Sequence, residues 1–165
     1  MKRATFLAEL EKLDANTVFY VDECGVDEYL YRQYGYAPKG EKIPFKISGK
    51  RFKRTNIVAA KCGKKIVAPM IYDGTTDSIL FETWFEKCLL KEIPAGSTVV
   101  MDNATFHRKG RLQEIADKHG VFLLFLPPYS PDLNPIEKFW AWLKNHLRDI
   151  LHNFENLYDA LLDCF

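Results

Sequence analysis

Two apolar runs in this sequence end on an aspartate followed by a second polar residue. Val18-Phe19-Tyr20-Val21 leads into Asp22-Glu23, and Val99-Val100-Met101 leads into Asp102-Asn103. Both runs read as strands buried on both faces, and in open α/β sheets functional groups gather at the carboxyl ends of strands. If the two strands are parallel neighbours, Asp22 and Asp102 stand side by side. Carboxylates that close repel, so one takes up a proton unless a cation neutralises the pair. A divalent ion does so, and oxygen ligands select Mg²⁺ or Mn²⁺ over zinc. Taken singly, an aspartate after a strand is ordinarily a turn or cap residue. Glu137 also has a local explanation: Asn134-x-x-Glu137 fits a capping box in which the glutamate reaches back to the amide of Asn134.

The elements that must position these acids follow from the apolar pattern. Phe6, Leu7, Leu10 and Leu13 recur at helical spacing, which predicts a short lead-in helix within residues 1–16. Residues 29–34 read as a strand joined to the first by a short polar connection containing Gly25. Residues 56–60 and 66–71 predict a hairpin about Cys62-Gly63, with Pro69 putting its second strand at an edge or bulge. Residues 75–92 predict a helix with Ile79, Leu80, Trp84, Phe85, Cys88 and Leu89 on its apolar side. A strand over 97–101, a helix over 107–119 closed by Gly120, and a strand over 121–126 follow. The next helix opens at Asn134-Pro135, carries Glu137, and places Trp140 on the core stripe of Ile136, Leu143 and Leu147. Residues 157–165 form a last amphipathic stretch. A hairpin followed by β–α–β units implies α/β, a mixed sheet with helices on both faces.

At 165 residues, with 47% hydrophobic and 27% charged, the chain is one globular domain rather than a disordered or fibrous segment. Lys and Arg total 23 against 22 acids, so no basic coat covers the whole molecule. The excess is local: residues 38–54 hold seven basic side chains against the single acid Glu41. Such a run is a solvated loop or a phosphate-binding footprint. The longest apolar stretch is six residues, far short of the roughly 20 that span a bilayer. No apolar run follows Lys2-Arg3 as a signal peptide requires, so the expected location is cytoplasmic. The four cysteines show no C-x-x-C spacing and read as free thiols.

The block Pro127-Pro128-Tyr129-Ser130-Pro131-Asp132-Leu133-Asn134-Pro135-Ile136-Glu137-Lys138-Phe139-Trp140 resembles the signature of the D-D-E transposases of the mariner superfamily, especially their bacterial insertion-sequence branch. Asp22-Glu23, Asp102-Asn103 with His107 following, and the thirty-four residues between Asp102 and Glu137 fit the same family. The resemblance runs from about Thr17 to the end of the chain. It implies a ribonuclease-H-like, mixed five-stranded sheet forming one catalytic domain over residues 17–165. Asp22, Asp102 and Glu137 would be the catalytic and metal-binding acids, holding two Mg²⁺ ions for which Mn²⁺ substitutes. The implied reaction is phosphodiester hydrolysis at element ends, then strand transfer into TA target DNA.

Asp132 is the rival third ligand, though its Ser-Pro-Asp-Leu-Asn-Pro setting is typical of a turn. A site that brings phosphates to carboxylates needs positive charge nearby. The expected DNA footprint is therefore Lys50, Arg51, Lys53 and Arg54, with His107 and Arg108 beside Asp102. The implied partners are double-stranded DNA, a second copy in an active homodimer, and a separate or fused helix-turn-helix segment. About sixteen residues before the first strand are too few to form that segment. The implied location is bacterial and nucleoid-associated. Two other readings use the same residues: a catalytically silent DNA-binding or assembly relic, and a different ribonuclease-H-like nuclease acting on RNA–DNA hybrids or branched DNA.

Overall fold

The first strand is apolar at successive positions because helices cover both of its faces. The structure is a computed structural model describing residues 2–27, 39 and 54–165. In chain order its main elements are α1 (Arg3–Leu10), β1 (Val18–Asp27), β2 (Arg54–Cys62), β3 (Lys65–Asp73) and α2 (Ser78–Trp84). The last runs through a π-helical stretch (Phe85–Leu89) into α3 (Leu90–Glu92). There follow β4 (Thr98–Met101), α4 (Lys109–His119), β5 (Phe122–Phe125), α5 (Ile136–Ile150) and α6 (Leu157–Asp163). The strands form one five-stranded sheet in the order β3-β2-β1-β4-β5. Pairing is antiparallel between β1, β2 and β3, and parallel from β1 through β4 to β5. This is the mixed sheet the sequence implies, and Pro69 lies in the edge strand, where a missing N–H costs no ladder bond.

Alternation along β1 divides the core. Val18 packs with Phe6 of α1, Val100, Leu124 and Leu126. Farther along the same face, Cys24 and Val26 meet Trp140, Leu143 and Leu147 of α5 and Leu157 and Leu161 of α6. Phe19 and Val21 face the other way, onto Phe81, Trp84, Phe85, Leu89, Leu112 and Ile115. Each face is therefore sealed by helices from a different part of the chain.

Three expectations are corrected. First, β1 does not stop before Gly25 but continues to Asp27, paired residue by residue with β2. The Arg54 side chain lies where a Cβ on Gly25 would be, so glycine here admits a neighbour instead of ending the strand. Residues 29–34, and residues 40–53 of the basic excursion, lie outside the described residues. Second, the helix expected from residue 75 begins at Ser78, because the Asp77 carboxylate accepts the Leu80 N–H at 2.8 Å and caps it there. Ile79, expected on the apolar side, is 71% exposed. It lies about 200° around the helix from the buried Phe81. Third, α4 begins at Lys109, which leaves His107 in the connection after β4. Gly120 does close that helix in the left-handed conformation, at φ 68°.

The four cysteines are free. Among the described residues no helix is long and apolar enough to cross a membrane.

Leu143 is fully buried where α5 meets the sheet. Leu143→Ala should cost about 2–5 kcal/mol in urea unfolding. A loss below about 1 kcal/mol would contradict this packing of the helix that carries Glu137.

Candidate active site

Sheet register brings the first two acids together. In the parallel pair, Tyr20 on β1 lies opposite Val100 on β4. Two residues farther along each chain come Asp22 and Asp102, one pleat repeat on and on the same face. The third acid arrives with α5. The turn Pro131–Leu133 reverses the chain after β5, and Asn134 then ties the helix start to the sheet. Its Nδ2 donates to the Val21 carbonyl at 3.3 Å, while its Oδ1 accepts the Ile136 N–H at 3.4 Å. The Asn134 amide itself donates to the Pro131 carbonyl at 2.9 Å. That bond occupies the donor that a capping box would offer to Glu137. Asp22, Asp102 and Glu137 line one open cavity of about 460 Å³, walled in part by Asn103, Pro128 and Asn134.

The charges in this cavity are in conflict. Burial, then the nearby Glu137 and Glu23 carboxylates and more weakly Asp102, push the Asp22 carboxyl up to about 8. The Trp140 indole N–H donates to Asp22 Oδ2 at 3.2 Å. Trp140 is a core residue, 3% exposed, as its stripe position predicts. Nothing in the local pattern signals that the indole N–H of Trp140, about one turn from Glu137 on α5, meets Asp22 of β1. Asp102 is held differently: its Oδ1 accepts the Ala104 N–H at 3.0 Å, and about half of its side chain stays exposed.

The remaining candidates separate. Asp132 is absent from the cavity lining and forms a two-point ion pair with Arg3 of α1, which lowers its pKa. His107 is not a surface group: its side chain is 1% exposed, with Nδ1 3.2 Å from the Asp102 carbonyl oxygen and Nε2 3.4 Å from Glu23 Oε1. Arg108 makes a two-point ion pair with the buried Glu82, at 2.7 and 2.6 Å. Arg54 is exposed at the start of β2 and lines a separate groove with Glu23 and Asn56. Lys50, Arg51 and Lys53 lie outside the described residues.

Among the described residues no three His, Cys, Asp or Glu side chains form a ready-made ion cage. The donor set still fits a hard divalent cation. It is all oxygen, carries more negative charge than burial tolerates, and opens to solvent on one side. Mg²⁺ is commonly held by one or two carboxylates, with waters and substrate phosphates completing its shell.

The raised Asp22 value has a consequence for the metal-free protein. The folded state keeps a proton that the unfolded chain, with its ordinary value of 3.8, has released, so stability falls as pH rises from about 4 to about 8. Asp22→Asn removes this dependence. In chelator at pH 8 the variant should melt at least about 5 °C above the wild type, with the gap closing near pH 4. Equal melting temperatures at pH 8 would contradict the crowding of charge at Asp22.

Comparison with known proteins bears on the family and the fold. The family model described as DDE superfamily endonuclease matches residues 17–159. The chain is 34% identical over 71 residues to the Transposable element Tc1 transposase of Caenorhabditis elegans, covering 43% of this chain and 26% of that protein. It is 32% identical over 75 residues to the uncharacterized protein y4pE/y4sA of Sinorhizobium fredii, covering 42% of this chain and 49% of that one. These matches span about half or less of each curated relative's length. Among solved structures, the Mos1 transposase paired-end complex with left transposon end superposes at a TM-score of 0.72 with 16% identity, over 87% of this chain and 46% of that one. The Mos1 mariner paired end complex with Mn superposes at 0.68 with 17% identity, over 97% of this chain and 51% of that one. At such identity these structures establish the shared ribonuclease-H-like fold. With the family model covering most of its length, the chain belongs to the DDE superfamily endonucleases, and within them it resembles the mariner-type transposases.

Proposed function

We propose that this chain is the catalytic domain of a DNA transposase, with residues 17–165 as the catalytic unit and α1 packed against it. The observation that carries the reading is the convergence of Asp22, Asp102 and Glu137 on one cavity from positions far apart in the sequence. In this reading the three carboxylates hold Mg²⁺, with Mn²⁺ substituting and two ions in the active state. Bound there, the ions supply Lewis acidity to the attacking and leaving oxygens of an in-line displacement at phosphorus. Mos1 complexes with Mn and with Mg have been solved, which supports divalent-metal use.

The chain's own residues set the conditions for this chemistry. Asp22 must release its proton before it can act as a ligand, so ion affinity should rise with pH toward about 8. The Trp140 N–H keeps one oxygen of Asp22 fixed while that happens. The wall formed by Pro127, Pro128 and Pro131 is rigid and offers no backbone N–H to compete for a phosphate oxygen. With water as nucleophile the outcome is a nick at the element's end, and with the released 3′-hydroxyl it is joining into TA target DNA.

The partner is double-stranded DNA, bound by a homodimer and guided by a separate or fused helix-turn-helix segment, at a cytoplasmic, nucleoid-associated location. Mos1 transposase has been solved in a paired-end complex with a transposon end and in a strand transfer complex, which supports the DNA partner. Lys50, Arg51, Lys53 and Arg54 remain our proposed phosphate contacts. Arg108, engaged with Glu82, would have to leave that pair to join them.

The test is nicking of supercoiled plasmid in Mn²⁺. Wild type should nick, whereas Asp102→Asn and Glu137→Gln should each fall at least about 100-fold. Asp132→Asn should stay within about twofold of wild type. No nicking by wild type, or equal nicking by Asp102→Asn, would favour the silent relic. Faster cleavage of RNA–DNA hybrid or branched DNA than of plain duplex would favour a different nuclease.

A further inference from the structure

Beyond Asp102, the connection from β4 to α4 is fixed at several points. Ala104 donates its N–H to Asp102 Oδ1 at 3.0 Å, the His107 N–H donates to the Ala104 carbonyl at 3.0 Å, and Arg108 is locked to Glu82. The loop so formed carries His107 inward. The ring lies against Phe81, with centroids 4.2 Å apart, and edge-on to Phe106 at 4.6 Å. Its Nδ1 is 3.3 Å from Asp102 Oδ1 as well as 3.2 Å from the Asp102 carbonyl oxygen. Its Nε2 faces Glu23 Oε1. Glu23 follows Asp22 on β1, and neighbouring residues of a strand point to opposite faces. Glu23 therefore reaches the ring from the side of the sheet opposite the cavity.

We propose that His107 is a positioning residue: anchored by Glu23, it pins Asp102 Oδ1 and so presents Oδ2 to a divalent ion in the cavity. This rests on the metal-dependent reading above. A side chain that is half exposed at a strand end has several rotamers, and each unproductive one dilutes ion affinity. The Ala104 amide bonds Oδ1, and the imidazole Nδ1, within hydrogen-bond distance of the Asp102 carbonyl, also stands 3.3 Å from that oxygen, an arrangement that favours a single rotamer. Packing between two aromatic rings fixes the imidazole's plane, and the Glu23 carboxylate fixes its rotation within that plane. Carboxylate–histidine pairs that orient a ligand in this way typically change metal affinity 10- to 100-fold when broken.

Mn²⁺ titration of the 165-residue chain, following the free-ion paramagnetic signal, tests this without reference to turnover. His107→Phe keeps a ring between Phe81 and Phe106 but removes both nitrogens, and should raise the Mn²⁺ Kd about tenfold. His107→Asn returns an N–H near the Nδ1 position and should recover to within about threefold of wild type. Glu23→Leu leaves the ring's packing alone and should weaken binding about threefold. Wild-type affinity in His107→Phe overturns the proposal, as does Asn binding no better than Phe while Glu23→Leu binds normally, since the ring then only fills space. If His107→Phe does not fold, the Asn and Glu23→Leu affinities decide by the same limits. Failure of the wild type to bind Mn²⁺ at all overturns the metal reading itself, a result distinct from equal binding by every variant.

Discussion

Asp22, Asp102 and Glu137 repel one another, and the fold brings them together nonetheless. A sheet that only had to be stable would not place a carboxyl group where burial and two neighbouring glutamates drive it up to about 8. The cost is met by the surrounding packing: β1 is sealed on one face by α1, α5 and α6 and on the other by α2 and α4. Crowded charge of this kind, concentrated at one end of an otherwise well-satisfied core, is where functional sites cluster. Among the described residues every buried side-chain nitrogen and oxygen has a hydrogen-bond partner, so the conflict is one of charge and not of missing hydrogen bonds.

The polar contacts around the acids are directional. Trp140 approaches Asp22 from the α5 face, and Asn134 anchors that helix to the carbonyl of the preceding residue. The loop after β4 holds Asp102 from the other side. Asp22 and Asp102 thereby each have their own donor, and both line the cavity they share with Glu137. A rigid frame that supplies position and charge is what phosphoryl transfer asks of a protein, since little covalent chemistry is left for side chains to perform.

Much of this was legible in the residues. Asp102 at the end of β4, the edge position of the strand holding Pro69 and the helix stop at Gly120 follow from local rules, and the structure bears them out, whereas Asp22 lies within β1, which runs on to Asp27. What local rules missed has a common cause. Gly25 reads as a breaker until Arg54, twenty-nine positions later, is seen to occupy its open side. Asn134-x-x-Glu137 reads as a capping box until the Asn134 amide is found bonded to Pro131 and its side chain to Val21. His107 reads as the start of a helix until the loop carries it against Phe81. In each case a partner distant in sequence, or a competing bond a few residues away, outweighs the local preference. Tertiary contacts of this kind leave no periodicity to detect.

The central claim is that the three acids form one divalent-ion site. A crystal soaked in Mn²⁺ and measured at the manganese absorption edge addresses it most directly. The account predicts anomalous density between Asp22 and Asp102, with Glu137 turned toward it. Density elsewhere on the surface, or none in the cavity while Glu137 folds back onto the start of its own helix, would contradict it.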